Sequence, residues 1–217
     1  MPTDAIDNPA IRPLLSARRL ATYEAACGSN TAEAMRLYAW NIEASAATWG
    51  GFAVLEVCLR NAISAQLATY TGRTDWWNSP LVTLRAQQQG AINAATGPSA
   101  TPDSVVASLT FGFWTSLLAN RYHQQLWVPA INGAFPGYRG RRGVLQQRLE
   151  ALRRLRNRLA HHEPVFRRNL AADHRIILDV LGWLEPAARA WVERDSRLTA
   201  VLAARADTVN ATRKTSF

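Results

Sequence analysis

Residues 143–162 read GVLQQRLEALRRLRNRLAHH, and this stretch decides the fold that the sequence predicts. Its apolar residues recur mostly at intervals of three and four, which is the spacing of one face of an α-helix. The members of this stripe are Val144, Leu145, Leu149, Leu152, Leu155 and Leu159. Arginines dominate the opposite face, and Pro164 stops the pattern because proline cannot continue the helical hydrogen-bond ladder.

Helical periodicity continues outward from this stretch, and no alternating run of apolar and polar residues predicts a strand. The clearest case is residues 52–70, where apolar side chains fall at steps of four. These side chains are Leu55, Leu59, Ile63 and Leu67. Gly72 follows as a C-terminal cap. The predicted fold class is therefore all-α, a single helical bundle.

Several short patterns predict where helices begin and end. Asn30 with Glu33 three residues later is typical of a capping box. Ser79–Pro80 and Thr101–Pro102 each combine a capping residue with proline at the first helical position. Gly50–Gly51 predicts either a break or a close contact between helices.

The length of 217 residues suits one domain. We expect a flexible N-terminus over residues 1–13, which holds three prolines, and a single helical domain over residues 14–206. The polar residues 207–217 favour a disordered tail. No internal repeat is visible.

Composition indicates which partners and which cellular compartment to expect. The 25 basic residues exceed the 16 acidic ones, and all but Lys214 are arginine, which binds phosphate in a forked geometry. The excess charge fits a nucleic-acid partner but also serves solubility. Cys27 and Cys58 have no metal-binding spacing and predict buried thiols in a reducing compartment. Without a signal peptide or an apolar stretch of roughly 18 residues, we expect a cytoplasmic protein that does not enter a membrane.

The chemistry centres on Arg156, Asn157 and His161, spaced as Arg-Asn-x-x-x-His at the end of the long helix. RNA cleavage without a metal needs a base for the 2′-hydroxyl proton and an acid for the leaving oxygen, and histidine serves as both near neutral pH. It also needs a cation on the phosphate, which arginine supplies. An amide such as Asn157 can orient the histidine. The other reading is that Arg156 is an exposed helix residue paired with Glu150 or Glu163, and that a cationic His161 stabilises the helix end.

The sequence around this motif resembles the Abi-like (abortive infection) branch of HEPN-domain proteins. Residues 155–166, LRNRLAHHEPVF, carry the local signature, followed by His174, Trp183, Pro186 and Trp191. Upstream blocks also match: Tyr38-x-Trp40-Asn41, residues 55–63 (LEVCLRNAI), Trp76–Trp77 and residues 109–114 (LTFGFW). The resemblance covers roughly residues 20–195.

The resemblance implies a HEPN-like helical bundle with additional N-terminal and C-terminal helices, which dimerises so that two Arg-His motifs face one cleft. It implies a metal-independent endoribonuclease of phage defence or of a toxin–antitoxin system, without a cofactor. In it Arg156 binds the scissile phosphate, His161 is the general acid or base, and Asn157 assists. Partners would be RNA, a second copy, and an antitoxin or structured RNA as regulator. The alternative is a catalytically silent RNA-binding or protein-interaction module.

Supporting roles follow for two further groups. His162 is predicted to support the turn or the dimer. Candidates for contact with the motif are Glu56, Arg60 and Asn61. Glu56 and Arg60 also fit a simple intrahelical ion pair. Candidates for guiding RNA are Arg153 and the loop residues Arg139, Arg141 and Arg142. Trp76–Trp77 fits a core or an interface better than a base-stacking platform.

A metal site is the competing chemistry. His161, His162, Glu163 and His174 are possible ligands, but three adjacent residues at a helix end cannot converge on one ion. No histidine pair with helical metal spacing occurs. We therefore expect no metal.

Overall fold

The computed structural model describes residue 6 and residues 8–217, and every regular element in that part of the chain is helical. The all-α prediction is confirmed. The α-helices are α1 (Ala17–Glu24), α2 (Thr31–Thr71), α3 (Ala86–Ala95), α4 (Pro102–Ser108), α5 (Phe111–Ser116), α6 (Arg142–Ala160), α7 (Leu170–Leu184), α8 (Pro186–Asp195), α9 (Leu198–Ala203) and α10 (Arg205–Val209). Much of the predicted flexible N-terminus falls on residues 1–5 and 7, outside the described residues; Arg12–Leu14 forms a 3-10 turn.

Two compact units make up the chain, a division that the prediction of one domain over residues 14–206 did not include. The first unit contains the described residues up to Gly51, Arg156–Arg175 and Asp195–Phe217. The second contains Phe52–Leu155 and Ile176–Arg194. Each unit is assembled from separate stretches, so no single linker of distinctive composition could reveal the division.

In the first unit, aromatic side chains form the centre of the core. Tyr23 is fully buried, with its ring centroid 4.9 Å from that of Phe166. Trp40 is also buried, and its indole N–H donates to the carbonyl of Val201 at 2.9 Å. The guanidinium of Arg205 lies over the rings of Trp40 and Phe166, at 5.0 Å and 5.8 Å from their centroids, and donates to the Phe166 carbonyl. These contacts join α1, α2, α9 and α10 to the segment that follows α6.

The core of the second unit contains the predicted stripe of α2 and four of the six residues predicted for the stripe of α6. Of the other two, Val144 is 43% exposed, contrary to the prediction, and Leu159 is buried in the first unit. The four residues at steps of four in α2 are fully buried, as are four leucines of α6. They are Leu55, Leu59, Ile63 and Leu67, and Leu145, Leu149, Leu152 and Leu155. The pair Trp76–Trp77 is buried as well, which confirms its assignment to the core, and the Trp76 ring centroid lies 6.1 Å from that of Trp114.

Helix α2 is 41 residues long and passes through Gly50–Gly51 without interruption, so the predicted break is absent. A glycine inside a helix costs only about 1 kcal/mol relative to alanine, which packing of a long helix offsets. The same helix contains an 18-residue window apolar enough to cross a membrane, of which 44% is buried. A buried core helix passes the same test. Small and polar residues interrupt this window, so a search for an unbroken apolar run does not find it.

Two of the three predicted helix starts are confirmed. The Asn30 side chain accepts from the Glu33 backbone N–H at 3.2 Å, and Thr101 caps α4 in a capping box. Gly72, at φ +72°, closes α2 as predicted. Ser79–Pro80 does not open a helix: it lies in a turn after the 3-10 segment Trp76–Asn78, whose tryptophans are buried, and α3 begins only at Ala86.

The C-terminal residues 207–217, for which composition favoured disorder, contribute an arginine that pairs with a buried carboxylate. The Arg213 guanidinium donates to both carboxylate oxygens of Glu43, at 2.8 Å and 2.6 Å. The Glu43 side chain is 1% exposed and that of Arg213 is 32% exposed. Hydrogen bonding to Glu43 raises the pKa of Arg213. The sequence could not indicate this pairing because the partners are 170 positions apart.

Arg213→Ala should lower the free energy of unfolding by roughly 3 kcal/mol, because it leaves the Glu43 carboxylate buried without its cation. Urea unfolding followed by circular dichroism measures the loss. Replacing Glu43 by glutamine in the same chain should recover part of it, since the unpaired charge is removed. The neighbouring exposed Lys214→Ala is the control. Equal stability of Arg213→Ala and Lys214→Ala would contradict a structural role for this pair.

Candidate functional site

The candidate site is the C-terminal end of α6, where the chain closes the helix with a tight turn. The N–H of His162 donates to the Leu159 carbonyl at 3.1 Å, and that of Glu163 donates to the Arg158 carbonyl at 2.8 Å. This pair of bonds is a Schellman motif, which normally has glycine at the left-handed position. Here that position is His162, at φ +54°. The doubled histidine therefore has two different backbone conformations, and only His162 is in the left-handed one.

The predicted catalytic residues differ in how far they are exposed. Arg156 and Asn157, inside the last turns of α6, are half-buried, whereas His161 and His162 are exposed. His161 continues the helical pattern, since its N–H donates to the Asn157 carbonyl at 3.0 Å. The bond couples the two residues through their backbones. All four belong to the first unit.

Arg156 contacts an aromatic ring that the sequence alone does not single out. Its guanidinium carbon lies 5.4 Å from the ring centroid of Trp49, within cation–π range. Trp49 is on α2, in the same unit, and is 38% exposed. The alternative reading of the sequence paired Arg156 with Glu150 or Glu163. In the structure these two carboxylates also serve other arginines: Glu150 binds Arg153 and Arg154, and Glu163 lies 3.3 Å from Arg158.

Two further residues hold the chain next to the motif. Arg19, on α1, donates to the carbonyl of His162 at 2.7 Å. Asn41, on α2 and 4% exposed, accepts with its side-chain oxygen from the N–H groups of Val165 (2.7 Å) and Phe166 (3.1 Å). Asn41 was part of the family resemblance but had no predicted role. Its place in the block Tyr38-x-Trp40-Asn41 was the signal available in the sequence.

The remaining predicted residues lie in the second unit. Arg153 forms two hydrogen bonds to Glu150, at 2.8 Å and 2.7 Å, which lower the pKa of Glu150 and raise that of Arg153. Arg60 donates to the carbonyl of Ala107, in the last turn of α4, at 3.1 Å. Glu56 is half-buried and Asn61 is exposed. Contact of these residues with the motif stays a prediction.

The loop arginines are not equivalent. Arg142 donates to the carbonyl of Leu118 and to the side chains of Gln146 and Asn120, so its guanidinium fixes the start of α6. Arg139 donates to the Pro136 carbonyl at 2.7 Å. Both Arg139 and Arg141 are exposed. Of the three, Arg142 has the clearest structural role.

Across residue 6 and residues 8–217, no group of three or more His, Cys, Asp or Glu side chains is placed to hold a metal ion. His174, considered as a ligand from the sequence, is buried on α7, whereas His161 and His162 are exposed.

No family model, curated protein or solved structure matches this chain. The resemblance to HEPN proteins therefore rests on the sequence blocks alone.

Asn41→Ala should lower the free energy of unfolding by about 3 kcal/mol, because two buried backbone N–H groups lose their acceptor. Chemical unfolding measures the change. Asn93→Ala, at an exposed position of α3, is the matched control and should be neutral or slightly stabilising. A loss no larger than that of the control would show that Val165 and Phe166 do not depend on Asn41.

His162→Gly should raise the free energy of unfolding by about 1 kcal/mol, because glycine adopts the left-handed conformation without the Cβ clash. His161→Gly is the contrasting variant: its φ is not in the left-handed region, so glycine there should destabilise. Thermal unfolding of both variants checks the signs. A loss of stability in His162→Gly would mean that the imidazole ring contributes more than the turn costs.

Proposed function

We propose that this protein is a metal-independent endoribonuclease of the HEPN type, acting in phage defence by abortive infection or as a toxin. The observation that carries the proposal is the end of α6, where an exposed histidine, His161, follows a half-buried arginine, Arg156, at a spacing of five residues. The same residues stand within the longest block of the family resemblance.

Arg156 would hold the scissile phosphate. A guanidinium that lies over an aromatic ring has its N–H groups at its edge, in the plane where a phosphate accepts two parallel hydrogen bonds. Cation–π contact with Trp49 supports such an orientation. In the transition state the phosphorane carries additional negative charge, and a preorganised cation stabilises that charge more than it stabilises the bound substrate.

His161 would move the protons. A histidine base takes the proton of the 2′-hydroxyl, whose oxygen attacks phosphorus, and the bond from phosphorus to the 5′-oxygen breaks. A protonated histidine gives its proton to that departing oxygen. The products are a 2′,3′-cyclic phosphate and a 5′-hydroxyl. The exposure of His161 supports this role, since a substrate can reach the ring.

Two copies of the chain would contribute one His161 each, in a cleft formed by a homodimer. The substrate is RNA, and the activity belongs in the cytoplasm, where transfer and messenger RNA are found. A toxic ribonuclease also requires restraint, for which an antitoxin protein or a structured RNA is the proposed partner.

Purified protein should cut labelled transfer or messenger RNA in the presence of EDTA, and both His161→Ala and Arg156→Ala should slow cleavage by on the order of 100-fold or more. The removed groups act in the transition state, so the loss should appear mainly in kcat. Gel analysis of the products, with end-group mapping of the cyclic phosphate, measures it.

Arg154→Ala is the charge-matched control: it removes an exposed arginine of the same helix and should leave the rate unchanged. Equal cleavage by the wild-type protein and His161→Ala would place the activity elsewhere. RNA binding that survives both active-site substitutions, without turnover in any variant, would support the silent RNA-binding module instead.

A further inference from the structure

Trp49 is an unusual residue to find at the surface beside the motif. Large aromatic side chains are mostly buried in this protein: five of its eight tryptophans are. Trp49 is 38% exposed, although it lies near the middle of the long helix α2, where the two preceding residues, Ala47 and Thr48, are buried. Its backbone is therefore fixed while part of its ring remains open to solvent.

The surroundings of Trp49 leave room for a ligand. The next residue, Gly50, is exposed, and a Cβ built on it would meet no atom within 4 Å. The guanidinium of Arg156 lies 5.4 Å from the ring centroid. An exposed aromatic surface thus adjoins the arginine that the proposed function assigns to the scissile phosphate.

Nucleic-acid bases stack on such surfaces. Each base–aromatic stack contributes about 1–3 kcal/mol, judged by alanine substitution, and accepts any base because every base has a π-face. A base within a duplex is already stacked and paired, so its face is not available without a further cost. A phosphate site beside an exposed tryptophan therefore favours an unpaired nucleotide.

We propose that Trp49 is a base-stacking platform next to Arg156, and that the protein consequently takes single-stranded RNA, with the base adjoining the bound phosphate stacked on the indole. The proposal rests on the proposed function, since it requires that RNA binds at Arg156. It adds a specificity-determining residue outside the Arg-His motif and names the substrate class. Because stacking does not read base edges, it predicts little sequence preference at this nucleotide.

Binding to 2′-O-methyl RNA tests the proposal, because this probe lacks the attacking hydroxyl and is not cut. Fluorescence anisotropy would compare a single strand, the same strand in a duplex, and a single strand of abasic nucleotides. Trp49→Leu should weaken binding of the intact single strand about 10- to 100-fold, and Trp49→Phe should weaken it less. Neither should change the affinity for the duplex. Trp191→Leu is the matched control, since Trp191 is a second surface tryptophan, 52% exposed.

The abasic strand separates stacking from a role in positioning Arg156. If Trp49 stacks a base, the wild-type protein should bind the abasic strand as weakly as Trp49→Leu binds the intact strand. The affinity for the abasic strand should then be the same for the wild-type protein and for Trp49→Leu. If Trp49 only holds Arg156, the wild-type protein binds abasic and intact strands equally, which overturns the proposal. The salt dependence should be unchanged in Trp49→Leu, which removes no charge. In Arg156→Ala, the logarithm of the binding constant should depend less steeply on the logarithm of the salt concentration. The slope should become smaller in magnitude by about 0.7 for each phosphate of a single strand that the variant no longer neutralises.

The remaining outcomes separate this proposal from the proposed function. RNA binding that depends on Arg156 but is unaffected by Trp49→Leu overturns base stacking and leaves the ribonuclease proposal intact. Absence of RNA binding by the wild-type protein overturns both. Sedimentation of Trp49→Leu as a smaller species than the wild-type protein would assign the exposed ring to contact between copies of the chain, and the stacking role would be wrong.

Discussion

The end of α6 depends on a requirement of backbone chemistry: a chain that leaves a helix must satisfy the polar groups that the helix no longer pairs. Pro164 prevents continuation, so the chain reverses through His162 in the left-handed conformation. Asn41 then accepts the next two buried N–H groups, while Arg19 occupies the His162 carbonyl. With the turn held by side chains of α1 and α2, His161 lies exposed beside a fixed backbone, which the proposed proton transfer would require.

Arginine in this protein serves structure as well as charge. Arg142, Arg205 and Arg213 bind carbonyls, rings or a buried carboxylate, and Arg153 is held by Glu150. A guanidinium has five donors in a plane and an apolar face, so it can replace backbone caps and pack on aromatic rings at once. Many of the arginines behind the formal charge of +9 are therefore engaged within the fold. The net charge still produces a long-range positive field that attracts polyanions, but it is not the number of side chains able to bind phosphate.

What the sequence could predict follows from the range of the interactions involved. The stripe that includes Leu55 and Leu59 and the caps at Asn30 and Thr101 depend on neighbours within a few residues, and all are found in the structure. The continuity of α2 through Gly50 and the pairing of Glu43 with Arg213 depend on distant packing, which periodicity does not encode. The spacing of Arg156, Asn157 and His161 could be recognised in the sequence. The supports of this motif could not, because they come from other helices.

A displacement at phosphorus sets a last geometric condition on the proposed chemistry. The attacking and leaving oxygens lie roughly in line on opposite sides of phosphorus, so one imidazole cannot reach both. Under the proposed function, the second ring would be His161 of another copy of the chain. The proposed stacking at Trp49 would constrain that assembly further. The two copies would have to approach closely enough for their histidines to flank one phosphate, yet leave the indole beside Arg156 open to a base. A cleft with both properties admits a flexible single strand more readily than a rigid duplex.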